Sequence, residues 1–149
     1  MIEVVKTNSS NKDFIDLVGK LDEDLAIRDG DEHSFYAQFN SISVIKYVIV
    51  LYLDAIAVAC GAIKEYDEET MEVKRMYVPE EYRNKGFATK VLKSLENWSN
   101  ELNCKYLVLE TGVKQPEAIR LYEKNGFSII PNYGQYIGIE NSVCFKKEI

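Results

Sequence analysis

The spacing of apolar positions changes along the chain, and each change marks an element. Short apolar runs rich in β-branched residues predict strands at 2–6, 43–52, 55–66 and 71–78. Phe14, Leu17, Val18, Leu21 and Leu25 recur at helical steps, so a helix is expected from an Asn11 cap to about Ile27. Arg28-Asp29-Gly30-Asp31-Glu32 is a turn signal, and Phe35, Tyr36 and Phe39 predict a short helix over roughly 33–39. Phe87, Val91, Leu95, Trp98 and Leu102 give the clearest helical stripe, over about 87–101. A compact strand is expected at 105–110. Gln115-Pro116-Glu117 then opens a helix with proline at its first position, and Asn125-Gly126 closes it with a left-handed cap. Strands at 127–130 and 142–147 flank a loop at 131–138.

Turns near Asp54 and at 66–70 fold three of these strands into an antiparallel meander. The strand at 105–110 follows a helix that itself follows a strand, which permits a parallel crossover. The order β-α-α-β-β-β-α-β-α-β-β is that of an α+β protein with a mixed sheet. Its 149 residues suit one domain, 1–149, with one core.

Composition narrows the functional classes. A net charge of −6 argues against a nucleic-acid partner. The most apolar stretch, 47–63, is broken by Asp54 and too short for a bilayer, so no membrane association is expected. The first six residues carry an early acid and no long apolar core, unlike a signal peptide. Cys60, Cys104 and Cys144 form no Cys-x-x-Cys pair and suit a core in a reducing, cytoplasmic setting. One histidine and no His/Cys cluster argue against a metal site.

The chemistry concentrates in 73–88. Val73 to Val78 ends at Pro79, which cannot donate to a ladder. A charged loop with Arg83, Asn84, Lys85 and Gly86 leads into the helix at Phe87, Ala88 and Thr89. A helix N-terminus offers backbone N–H groups without intrahelical partners, and such groups attract phosphates. Gly86 allows a close approach and a positive φ. The pattern Arg-x-x-Gly-x-Ala is loose by itself; its place between a strand and an amphipathic helix is what points to an anion site.

These motifs, in this order, resemble the GNAT superfamily of N-acetyltransferases. The loop 78–88 is similar to the family's acetyl-CoA loop. Glu110-Thr111 ends the next strand, and 118–127, Ala-Ile-Arg-Leu-Tyr-Glu-Lys-Asn-Gly-Phe, is similar to the family's Ala-x-x-Leu-Tyr-x-x-x-Gly-Phe. The resemblance implies a central sheet of about seven strands flanked by about four helices, with a splayed parallel pair forming the cofactor cleft. It implies that acetyl-CoA binds with its pyrophosphate on the loop and first turn, Arg83 to Thr89. The pantetheine arm would pair with Met76, Tyr77 and Val78. Gln115 stands where many relatives carry Asn. Tyr122 would line the cofactor cleft and act as the acid that protonates the leaving thiolate; its other reading is a core aromatic. No metal is implied.

Amine acetylation also needs the acceptor to lose a proton before attack. Glu72, eleven residues before Arg83, is the first candidate base, since some family members place a glutamate at this spacing. Its alternative is an outward residue paired with a cross-strand lysine. Glu110 is the second candidate, and ordered water serves in many relatives. The acceptor, a small-molecule or protein amine, is expected against the N-terminal helices and the 131–138 loop. Arg28 is a candidate for an acceptor carboxylate, and Glu32 with Asp22, Glu23, Asp24, Asp29 and Asp31 for a cationic amine; the same acids also suit a solvated face. Tyr133 and Tyr136 would frame the acceptor or plug the sheet. The last strand is a candidate pairing edge for a homodimer. A non-catalytic acyl-CoA-binding sensor or interaction domain shares every donor feature and differs only in turnover.

Overall fold

A computed structural model describes residues 1–29 and 45–149. Seven strands, β1 (Ile2–Thr7), β2 (Tyr47–Leu53), β3 (Ile56–Asp67), β4 (Thr70–Tyr77), β5 (Tyr106–Gly112), β6 (Ser128–Ile130) and β7 (Ser142–Glu148), form one mixed sheet. Their spatial order is β1-β2-β3-β4-β5-β7-β6. All pairings are antiparallel except β4 with β5. Among the described residues there are three helices rather than about four: α1 (Lys12–Asp29), α2 (Phe87–Glu101) and α3 (Pro116–Lys124). The short helix expected at 33–39, with Glu32, lies outside the described residues, as does the side chain of Arg28.

Local chemistry accounts for most boundaries. The Asn11 side-chain oxygen accepts the Phe14 N–H at 2.9 Å and caps α1. Asp54 and Ala55, at φ 49° and 71°, turn β2 into β3. Two positive φ values in a two-residue loop match the twist of the strands they join. α2 carries the crossover that the parallel pair requires.

The sheet is covered on both faces. Phe87, Val91, Leu92 and Leu95 of α2 pack with Ile49, Leu51, Ile63, Leu107 and Leu109 on one side. Phe14, Leu17 and Val18 of α1 pack with Val48, Val50, Cys60 and Ala62 on the other. Each fully buried aliphatic side chain contributes about 1.5–3 kcal/mol, so these stripes fix both helices to the sheet. The three cysteines are free and buried. Burial pushes the Cys60 thiol up to about 12, which leaves it an inert core group at neutral pH. β7 lies between β5 and β6, so over Cys144–Lys146 both of its edges are already paired. That stretch is not the free edge expected of a dimer seam.

Candidate active site

The site opens because one ladder ends early. β4 and β5 pair only at Thr70–Tyr106, Met71–Leu107 and Glu72–Val108. Beyond Glu72, β4 stays with β3 while β5 stays with β7 along its full length. The two parallel strands therefore part, as the resemblance implies. The parted edge of β4 exposes backbone groups that an extended ligand can pair with.

A cleft of about 490 Å³ runs from this gap to the start of α2. Met76, Tyr77, Val78, Arg83, Asn84, Gly86, Phe87, Ala88, Thr89, Gln115 and Tyr122 all line it. Lys85 is exposed in the same loop and is not among the lining residues. The first α2 bond runs from the Lys90 N–H to the Gly86 carbonyl, at 3.1 Å. The N–H groups of Phe87, Ala88 and Thr89 therefore precede the helical ladder, and no side chain caps them. Asn84 and Gly86 take φ values of 64° and 81°. A Cβ on Gly86 would meet nothing within 4 Å, so the glycine serves the turn and not the packing. Left-handed residues at a helix start turn successive N–H groups toward one point, a geometry suited to phosphate oxygens.

Arg83 holds the loop against the strand. Its Nε donates to the Val78 carbonyl at 2.8 Å, and its guanidinium lies 5.8 Å from the Tyr77 ring centre. Asp24 of α1 approaches its Nη2 at 3.8 Å. Two more cations in the cleft wall, Arg120 and Lys124 of α3, escaped the sequence reading. Their sign was their spacing, four residues apart on one face of α3.

A second chamber, about 110 Å³, adjoins the cleft. The two share Leu21, Met76, Gln115, Ala118 and Tyr122 as a common wall. Glu72, Lys74, Arg75, Glu110 and Tyr136 complete the polar part of the chamber. Leu21 and Leu25 close it from α1, and Tyr136 brings the 131–138 loop to its border.

Tyr122 is both a core aromatic and a lining residue. Its ring packs edge-on against Phe127 at 5.7 Å and lies 5.9 Å from Phe145. The turn after it fixes its position. The Phe127 N–H donates to the Tyr122 carbonyl at 3.0 Å and the Gly126 N–H to the Glu123 carbonyl at 3.2 Å. With Gly126 at φ 89°, this is a Schellman cap, and the Tyr122–Phe127 contact is its hydrophobic clasp. The spacing Leu-Tyr-x-x-x-Gly-Phe is thus a helix stop that orients one tyrosine. Burial first, then the nearby Glu110 charge, raises the Tyr122 phenol well above its ordinary value. It holds its proton at neutral pH.

Glu72 stands at the apex of the gap, 7% exposed. Its Oε2 accepts the Tyr133 hydroxyl, and Lys74 Nζ lies 3.7 Å from Oε1. The carboxylate faces inward and its cation is on its own strand. Lys74 also donates to the Tyr136 hydroxyl at 3.3 Å. Burial, followed by the Glu72 charge, raises the Tyr133 phenol; burial, followed by Glu110, raises Tyr136. Tyr133 therefore buttresses Glu72, while Tyr136 lines the chamber itself. Glu110, on the parted part of β5, accepts the Ser142 hydroxyl at 2.7 Å. Asp22, one of the acids expected to attract an amine, pairs with Arg75 at 2.7 Å. Lys74 and Arg75 were missed. Their signal was a pair of adjacent cations two residues after Glu72 in a strand whose other members are mostly apolar.

Residues 15–127 match the family model described as "Acetyltransferase (GNAT) family". Among curated proteins, the IAA acetyltransferase of Azospirillum brasilense is 38% identical over 80 residues, 53% of this chain and 52% of that protein. The chain spans about half to three-fifths of the length of the curated relatives it matches. Among solved structures, a candidate acyl-CoA N-acyltransferase from Klebsiella pneumoniae superposes with a TM-score of 0.83 at 26% identity, over 99% of this chain and 97% of that one. A GNAT family acetyltransferase from Elizabethkingia anophelis, solved with acetyl-CoA bound, shares the fold with a TM-score of 0.70 at 19% identity, over 99% and 98%.

Proposed function

Because the chain belongs to the GNAT acetyltransferase family, we propose that it transfers the acetyl group of acetyl-CoA to a primary amine by direct attack in a ternary complex. The observation that carries this reading is the common wall. An anion-ready cleft and a charged chamber meet at Met76 and Tyr122, so a thioester in one faces an amine in the other. Such juxtaposition replaces a bimolecular encounter by an oriented one.

The cofactor pyrophosphate rests on the N–H groups at the start of α2, with Arg83 beside it. The pantetheine arm follows the parted edge of β4. The Val78 carbonyl already receives the Arg83 side chain, so the pairing centres on Met76 and Tyr77. The acceptor reaches Glu72 and Glu110 as an ammonium and loses its proton there, directly or through water. The neutral amine attacks the thioester carbon. Backbone N–H groups on the released β4 edge are the candidate donors to the oxyanion. As the tetrahedral intermediate collapses, the C–S bond breaks and Tyr122, kept protonated by its surroundings, donates to the departing thiolate. The attacking nitrogen gives up its second proton, which returns through water to restore the Tyr122 phenol and leaves a neutral amide and free CoA thiol.

The first test is the thermal unfolding midpoint with saturating acetyl-CoA, CoA, ATP or NAD. Ligand at 100 times its Kd adds about 2.7 kcal/mol. A rise of roughly 6–10 °C with acetyl-CoA and CoA alone is expected. Release of free thiol on adding amines should follow. A shift without thiol from any amine would instead describe a non-catalytic acyl-CoA-binding domain. Tyr122→Phe keeps the ring packing and should cut turnover several-fold with donor affinity unchanged; equal turnover removes the acid role.

A further inference from the structure

Resting on that reading, we propose that the acceptor is a small primary amine that also carries a carboxylate, and that Arg75 receives that carboxylate. The backbone gives the first reason. Cys60 pairs with Tyr77 and Ala62 with Lys74, so Arg75 and Met76 together oppose the single residue Gly61. This is a β-bulge, and Arg75 takes its left-handed position at φ 60°. Glycine is the unstrained residue there, so an arginine in this place calls for a reason. The bulge interrupts the strict alternation of β4. Lys74 and Arg75, adjacent in sequence, thereby line the same chamber.

The second reason is an unmet hydrogen bond. The Arg75 side chain is only 6% exposed. Its Nη1 donates to Asp22 Oδ1 at 2.7 Å, but its Nε is buried with no partner among the described residues. A buried N–H without an acceptor is costly, and a guanidinium edge is shaped to receive a planar carboxylate. Lys74 already engages Glu72 and the Tyr136 hydroxyl. Arg75 is thus the chamber cation with an N–H to offer. Asp22 is half-exposed, at 48%, and its carboxylate occupies one edge of the group from the α1 side.

The chamber's remaining charges set the rest of the acceptor. Glu72 and Glu110 suit an ammonium group, and Lys74 and Arg75 suit an anion. A second ammonium, as in a diamine, would meet two cations in a space of about 110 Å³. An amino-acid-like zwitterion matches both signs. The carboxylate role considered for Arg28, whose side chain lies outside the described residues, is here proposed for Arg75.

The test uses matched pairs at saturating acetyl-CoA: alanine against ethylamine, phenylalanine against phenethylamine and lysine against cadaverine, with aminomethylphosphonate as a tetrahedral-anion arm. The carboxylate-bearing member should show a kcat/KM higher by roughly 10–100-fold. Arg75→Gln should abolish that preference, bringing the ratio of kcat/KM within each pair to about one, chiefly through the KM of the carboxylate-bearing member. Asp22→Asn removes the competing carboxylate and should lower KM for the amino acid only. Equal kcat/KM within every pair, or a uniform loss in Arg75→Gln, would overturn the proposal; preference for the phosphonate would overturn the carboxylate in favour of a tetrahedral anion. Should Arg75→Gln not fold, Asp22→Asn decides. If acetyl-CoA binds but no amine yields thiol, the transfer reading falls alone. The carboxylate site is then judged by whether amino acids, and not their decarboxylated partners, raise the unfolding midpoint of the CoA complex.

Discussion

Replacing Gly126 by alanine should cost about 1–3 kcal/mol of folding free energy and slow turnover more than it weakens donor binding. Gly126 sits at φ 89°, where an L-residue with a Cβ loses about 1–2 kcal/mol. The new methyl would also lie 3.3 Å from Lys147 Cε. That side chain is flexible, yet its ammonium is 2.9 Å from Glu96 Oε1. Glu96 is 8% exposed, and its other oxygen has no partner among the described residues. Pushing Lys147 away therefore weakens the support of a buried carboxylate, which sets the upper end of the range. In urea the midpoint should fall with an unchanged slope, and the thermal midpoint should drop by roughly 3–10 °C. Gly134→Ala is the control, because φ there is 53° and an added Cβ meets nothing within 4 Å. The difference between the two variants measures what Lys147 and the wider φ at Gly126 add together. Because the same cap orients Tyr122, kcat should fall several-fold while acetyl-CoA affinity holds. A stability loss under about 0.5 kcal/mol would refute the strain argument. A full loss of stability with unchanged kcat would refute the link to Tyr122.

Gly61→Ala should destabilise by about 1–3 kcal/mol through overpacking, since its Cβ would lie 2.5 Å from Met76 Sδ and 2.8 Å from Val91 Cγ1; an unchanged urea midpoint would show that Met76 moves freely. Stability should fall as pH rises above about 9, because Cys60 keeps its proton in the folded chain up to about 12 while the unfolded chain releases it near 9. Tyr122, Tyr133 and Tyr136, all raised from 10.0, steepen the loss above pH 10. Each such group contributes up to about 1.4 kcal/mol per pH unit, and Cys60→Ala should flatten the urea midpoint between pH 9 and 10. Glu72→Gln and Glu110→Gln, compared by kcat across pH, should assign the base: the variant that loses the alkaline rise carries it, and loss in neither points to water.

Much of the frame was written in local periodicity. The α2 stripe gave 87–101 because its apolar face is continuous and a glycine precedes it, and the helix does span Phe87–Glu101. Asn11 and Gly126 announced their caps by residue type alone. The cleft was legible because one contiguous stretch, 76–89, supplies most of its lining. What stayed hidden is non-local. No residue between 70 and 78 announces that the β4–β5 ladder stops at Glu72–Val108, since that depends on where β3 and β7 hold their neighbours. Strict alternation would have put Arg75 on the face of Val73, in the core beneath α2. The bulge prevents this, and an arginine in left-handed conformation leaves no mark in a sequence.

The bulge and the gap act together. β4 must leave β5 while keeping its bond to β3, so it has to bend within a few residues. Inserting Arg75 and Met76 opposite Gly61 adds local twist shortly after the last β4–β5 pair. Gly61 permits this, because its missing side chain is where Met76 Sδ and Val91 settle. One irregularity then has two chemical results. Along the edge, it helps free backbone groups from Val73 to Tyr77, the groups that the proposed function gives to the donor's pantetheine arm. Across the strand, it places Glu72, Lys74 and Arg75 around one chamber, with Glu110 opposite. Straightening β4 would repair the sheet and remove both results at once. That dependence argues that the strained φ at Arg75 belongs to the site and is not an accident of folding.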